Sequence, residues 1–134
     1  MTQPPTLDNQ TGHDNNPALH LIHSPAIILV EPQLGENIGT AARAMANFGL
    51  RDLRIVNPRD GWPSEKAFKA SANAYPVIEN ARIFTTIEEA IADLQFICAT
   101  TARPRDMVKQ ILSPETATET MFHKASENQT IGIL

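Results

Sequence analysis

The segment Ala26-Ile-Ile-Leu-Val-Glu-Pro-Gln-Leu-Gly-Glu-Asn-Ile-Gly-Thr-Ala-Ala-Arg43 decides how this chain is read. Ala26–Val30 is a continuous apolar run with β-branched residues, the composition of a strand covered on both faces. A short loop containing Pro32, Gly35 and Asn37 follows. Ile38, Ala41, Ala42, Met45 and Phe48 then recur at helical spacing, and Gly49 is a natural helix stop. The segment therefore reads as strand, tight turn, helix. Asn37 and Arg43, six residues apart, stand at that junction. An asparagine amide can orient a neighbouring group, whereas an arginine carries a permanent charge suited to a phosphate or a developing anion. Strand-to-helix junctions lie at the carboxyl edge of an α/β sheet, where ligands bind.

Outward from this segment the same alternation continues. Leu53–Val56 reads as a second strand and Asn57–Pro63 as a turn-rich loop. Ser64 can cap a helix over Glu65–Ser71, and a helical turn spans Ala74–Asn80. Arg82–Phe84 is a short strand. Thr86 and Glu89 form a capping box ahead of Ile87, Ala90, Ile91 and Leu94. Gln95–Thr100 is the next strand, Thr101–Leu112 a polar loop with basic residues, and Ser113-Pro114 starts a helix over Glu115–Lys124. Gln129–Leu134 is a last strand. The expected fold is α/β: a parallel sheet with helices on both faces. An apolar parallel strand needs a following helix to cover it, so residues 24–134 read as the first part of a longer domain.

The totals narrow the class. A chain of 134 residues suffices for one domain with a real core, and 42% hydrophobic residues is ordinary for a globular protein. The formal charge of -4 lends no compositional support to nucleic-acid binding, although a weakly acidic body can carry a local basic patch. Residues 1–23 are rich in Pro, Asn, Asp and Thr and are expected to be a disordered tail. That tail has neither the basic start nor the apolar stretch of a signal peptide, and no apolar run is long enough to span a membrane. Cys98 is the only cysteine and reads as a small buried hydrophobe. The absence of any internal disulfide suits a reducing cytoplasm.

Each candidate site has an ordinary alternative. Gly35-Glu-Asn-Ile-Gly39 lacks both the dinucleotide fingerprint and the P-loop lysine, so its glycines can equally serve a tight turn and close helix–strand packing. Arg43 falls off the stripe of Ile38, Ala41, Ala42 and Met45, which fits a solvated helix-face arginine as well as a catalytic one. Thr100-Thr-Ala-Arg-Pro-Arg105 follows a strand directly. Its hydroxyls could meet a polar cofactor edge, and Arg103 and Arg105 could reach phosphates, or the loop could have no partner. Trp62 could stack a base or simply cover a core edge. The histidines have no metal-site spacing, so no metal is expected.

Three segments in order resemble the SpoU branch of the SPOUT (trefoil-knot) RNA methyltransferases: Ile28 to Leu50, Leu53 to Pro58, and Thr100 to Arg105. The resemblance covers about residues 26–134 and implies a Rossmann-like half of the SPOUT domain, with the C-terminal knot missing. It implies an S-adenosylmethionine-dependent methyl transfer to a ribose 2′-hydroxyl in tRNA, most like the enzymes acting on the anticodon-loop pyrimidine at position 32. In that family the asparagine and arginine of the first motif match Asn37 and Arg43, the arginine being the key catalytic group. The family's Thr-Ser/Thr-Ala segment touches S-adenosylmethionine and maps to Thr100, Thr101 and Ala102, leaving Arg43, Arg103 and Arg105 toward RNA. Family members are homodimers joined through the knot. The Phe-Gly-x-Glu, Gly-Leu and Asn-Leu segments that build the knot and most of the cofactor pocket do not occur in these residues. The chain alone is accordingly expected neither to bind the cofactor tightly nor to methylate RNA. Other readings are a 2′-O-methyltransferase for another tRNA or rRNA site, a Rossmann-like nucleotide-binding module, and a non-catalytic RNA-binding or interaction domain.

Overall fold

The computed structural model describes residues 24–101 and 109–134. Within them the elements are β1 (Ala26–Val30), α1 (Gly35–Asn47), β2 (Leu53–Val56), α2 (Glu65–Ala70), α3 (Tyr75–Glu79), β3 (Arg82–Phe84), α4 (Ile87–Ile91), β4 (Phe96–Cys98), α5 (Pro114–Ser126) and β5 (Ile131–Ile133). The expected tail, residues 1–23, lies outside the described residues.

All five strands run parallel in the order β3-β2-β1-β5-β4. Leu29 pairs with Ile55 on one side of β1, and Ile27 with Ile133 on the other. The chain steps outward from β1 to β3, crosses to the far edge at β4, and returns to lay β5 beside β1. The two halves of the sheet thus meet at the β1–β5 boundary.

Alternation along the strands splits the core in two. On one face Leu53 and Ile55 pack with Ile38, Ala42 and Met45 of α1, Ala67 of α2, and Val77 and Ile78 of α3. On the other, Ile28 and Val56 pack with Ala90, Phe84, Leu94 and Leu134 beneath α4. Helix α5 contacts β4 and β5. The helices start where their caps allow. Ser64 Oγ accepts from the Ala67 N–H at 3.2 Å, Thr86 Oγ1 from Glu89 at 3.3 Å, and Ser113 Oγ from Thr116 at 3.2 Å.

The carboxyl end of α1 closes as a Schellman turn. The Leu50 N–H donates to Met45 O at 2.8 Å and the Gly49 N–H to Ala46 O at 3.2 Å, with Gly49 at φ +71°.

The glycine pair serves helix–helix packing rather than the expected helix–strand contact. Gly35 and Gly39 lie one turn apart on the face of α1 that meets α2. A Cβ at Gly39 would stand 2.3 Å from Ala67 O and 2.6 Å from Ala70 Cβ. A Cβ at Gly35 would stand 2.3 Å from Ser64 Oγ. Cys98 is half-buried rather than fully buried, because β4 is an edge strand; burial still pushes its thiol pKa up.

Candidate active site

Helix α1 begins at Gly35, three residues earlier than the apolar spacing from Ile38 indicates. Asn37 is therefore in the first helical turn and not on the loop before it. Leu34, the N-cap, offers no side-chain acceptor. The Gly35 N–H instead donates to Asp60 Oδ2, at 3.3 Å, from the loop after β2. That acceptor comes from 25 residues away, which is why no capping signal precedes the helix in sequence.

The loop after β1 and the loop after β2 are joined at several further points. Glu31 N–H donates to Val56 O at 2.8 Å, and Arg59 N–H to Pro32 O at 3.1 Å. Asn57 Nδ2 donates to Glu31 Oε1 at 3.4 Å, and the Arg59 guanidinium to Gln33 Oε1 at 3.2 Å. Glu31 and Asn57, at the ends of neighbouring strands, hold left-handed backbones with φ of 47° and 43°. Non-glycine residues in that region carry strain and cluster where a chain is shaped for a ligand. In sequence Asn57 falls in the Leu53–Pro58 segment, and Arg59 and Asp60 read only as part of a turn-rich loop. Their one visible signal was position, directly after a parallel strand.

Asn37 and Arg43 are both exposed, and among the described residues neither side chain has a hydrogen-bond or ion-pair partner. Six helical residues separate them by about 9 Å along the axis and about 120° around it. They share the helix but not one face, so each meets a different part of any bound molecule. Among the described residues Arg43 has no carboxylate against it, in contrast to Arg54, Arg82 and Lys69.

At the other half of the edge, the Thr100 N–H and hydroxyl both donate to Leu134 O at 2.8 Å, and Leu134 N–H donates to Cys98 O at 2.9 Å. These bonds draw the ends of β4 and β5 together beside β1. The Thr100 hydroxyl has spent its proton, so what it offers outward is lone pairs. Acceptors of that kind suit an amino group or a ribose hydroxyl. Thr101 is exposed and has a partner of its own. Ala102, Arg103 and Arg105 lie outside the described residues. Trp62 is half-buried and stacks on Phe68, with ring centroids 6.2 Å apart, so it covers the edge of the α1–α3 core.

The opposite, amino edge carries the strongest electrostatics. Arg54, 3% exposed inside the second strand, forks to Asp52 and Asp93 and donates to Ala90 O at 2.7 Å. Arg82 reaches Asp52 at 2.9 Å. Burial works against the Arg54 charge, but bonds from Asp52 and Asp93 outweigh it and raise its pKa. Burial likewise opposes the Asp52 charge, and bonds from Arg54 and Arg82 win and lower its pKa. The Arg54 bonds hold the Asp93 carboxyl below the usual range. No group of three or more His, Cys, Asp or Glu poised for a metal occurs among the described residues.

Fold and edge together define an open parallel α/β domain of Rossmann-like topology, with its uncommitted polar groups where β1, β4 and β5 end. The chain belongs to the SpoU rRNA Methylase family, whose model matches residues 24–124. It is 39% identical over 94 residues to a tRNA (cytidine/uridine-2′-O-)-methyltransferase TrmJ of Yersinia enterocolitica, covering 70% of this chain and 36% of that protein. It is 40% identical over 75 residues to the tRNA (cytidine-2′-O-)-methyltransferase TrmJ of Methanocaldococcus jannaschii, covering 56% of this chain and 32% of that one. The crystal structure of TrmJ from Z. mobilis superposes with a TM-score of 0.78 at 52% identity, over 83% of this chain and 48% of that one. The chain thus spans about a third of the length of these curated relatives.

Proposed function

We propose that the intact protein transfers a methyl group from S-adenosylmethionine to a ribose 2′-hydroxyl of tRNA, in the cytoplasm and as a homodimer, with the anticodon-loop pyrimidine at position 32 as target. The observation that carries this reading is Arg43, exposed and, among the described residues, without a carboxylate partner, on the helix that opens at the carboxyl edge. Family membership and the names of the relatives support it.

A ribose hydroxyl is a poor nucleophile; methyl transfer to it would break the sulfonium S–CH3 bond, leave a neutral thioether and release the hydroxyl proton to water. Arg43 stabilises the alkoxide charge that develops and holds the adjoining RNA phosphate. A guanidinium keeps its own proton at neutral pH, so it acts through charge and not as a base. Asn37, in the first turn of α1, orients the ribose through its amide. Thr100 and Thr101, with Ala102, would hold S-adenosylmethionine at the joined ends of β4 and β5, where the Thr100 lone pairs suit its amino and hydroxyl groups. When bound, that cofactor supplies an electrophilic sulfonium methyl. Arg103 and Arg105 would contact RNA. These residues by themselves, without the segments that complete a knot, would neither hold the cofactor tightly nor methylate.

The test is 2′-O-methyl mapping of tRNA treated with the intact protein and its Arg43→Ala variant. Loss of one stabilising donor costs about 10²–10³ in rate. Methylation that survives Arg43→Ala unchanged would refute the assigned role, and wild-type protein that methylates no tRNA would favour a nucleotide-binding module.

A further inference from the structure

We infer that Arg59 is a further RNA-binding residue, a preoriented cation on the lip of the site that contacts a backbone phosphate of the substrate; this rests on the reading of the protein as a tRNA methyltransferase. Arg59 is exposed in the loop after β2. It is tied to the loop after β1 twice, by its N–H to Pro32 O at 3.1 Å and by its guanidinium to Gln33 Oε1 at 3.2 Å. The first bond holds the backbone beside the segment that leads into α1, and the second orients the guanidinium.

The partner of the guanidinium is what separates this arginine from Arg54 and Arg82. Arg54 and Arg82 end on carboxylates, so their charge is cancelled within the fold. Arg59 ends on a neutral amide. The bond orients the fork without neutralising it, and it uses one of the five N–H donors, leaving the rest for an anion. A guanidinium held in advance loses less side-chain entropy on binding than a free one.

The edge is not uniformly basic, since Glu31, Glu36 and Asp60 are also there. Two of these carboxylates are turned to donors within the loops: Glu31 accepts from Asn57, and Asp60 from the Gly35 N–H. Glu36 is exposed in the first turn of α1. Arg59 therefore meets a phosphate from the solvent side of a loop pair whose own acceptors are largely engaged.

The intact protein with Arg59→Ala, Arg59→Gln and Arg59→Lys tests this by steady-state methylation of a tRNA transcript and by tRNA affinity measured against salt. The glutamine can still donate to Gln33, so it separates charge from loop stapling. Arg59→Ala and Arg59→Gln should both raise KM for tRNA several-fold with kcat within about twofold, and shrink the slope of log affinity on log salt by about 0.7–0.9. Arg59→Lys should restore most of that slope. Wild-type protein that methylates tRNA, with Arg59→Gln matching it in KM and salt slope, overturns this inference alone and leaves Arg59 a loop staple. Wild-type protein that neither binds nor methylates tRNA overturns the functional reading and this inference with it.

Discussion

Replacing Gly39 by alanine adds one methyl group where α1 lies on the backbone of α2. The new Cβ would be 2.3 Å from Ala67 O, 2.6 Å from Ala70 Cβ and 2.9 Å from Ala70 C. Comfortable contacts between carbon atoms are about 3.5–4.0 Å, so the helices must separate by an ångström or so. No rotamer change relieves this, because two of the three atoms belong to the α2 backbone. Overpacking of this kind costs about 1–3 kcal/mol, and the upper end applies when backbone has to move. Alanine also gains about 1 kcal/mol over glycine inside a helix. The net expectation is a loss of about 2 kcal/mol, or a fall in Tm of roughly 8 °C for a domain of this size. Urea unfolding followed by circular dichroism at 222 nm measures it, with the exposed helix substitution Ala46→Gly giving the propensity scale in the same background. Gly35→Ala is an internal comparison. Its Cβ meets the Ser64 hydroxyl, and moving that aside costs the α2 cap, about 1 kcal/mol. A midpoint for Gly39→Ala equal to or above that of the wild type would refute the argument that backbone contact sets the spacing of α1 and α2.

Two further outcomes follow from the fold. The Asp52 and Asp93 carboxyls titrate below their ordinary values, so their contribution to stability is complete above about pH 4 and is lost as pH falls through the lower folded values. Unfolding free energy measured from pH 6 to pH 2 should therefore fall steeply at the acid end, and less steeply in Asp93→Asn, which should also be about 1–3 kcal/mol less stable at pH 7 because Arg54 loses a partner. Gly49→Ala should cost about 1 kcal/mol in a chemical melt, since nothing crowds the added Cβ and the whole penalty comes from φ +71°.

Much of the fold was legible because local and global signals agreed. Ala26–Val30, Leu53–Val56 and Arg82–Phe84 are strands with the bounds their composition indicates. Ser64, Thr86 and Ser113 cap the helices that follow them. Where the reading failed, the missing partner was far away in sequence. The start of α1 depends on Asp60, so spacing alone placed it late. Arg54 looks like a polar interruption in Leu-Arg-Ile-Val, yet it is buried because Asp93, 39 residues on, and Asp52 meet it. The role of the glycine pair was visible only as a choice between turn and packing, and the α1–α2 contact supplies the answer. Of the candidate site, the positions of Asn37 and Thr100 at the carboxyl edge follow from the strand–helix alternation, and Arg43 lies about 12 Å along α1 from Gly35, away from that edge. The tethering of Arg59 does not, because it depends on two loops meeting across the sheet.

The ionic cluster around Arg54 has a consequence for how the molecule tolerates change. It joins β2 to the end of α4 and to the start of β3 at the amino ends of the strands. Cohesion among the strands is thus anchored by charge at one pole, and the joined loops after β1 and β2 lie at the other. Acid should loosen the sheet from the pole remote from the loops that follow β1 and β2. Those loops, held by neutral amide and carbonyl bonds or by single carboxylates, can be altered residue by residue without touching the charges that fasten the strands together.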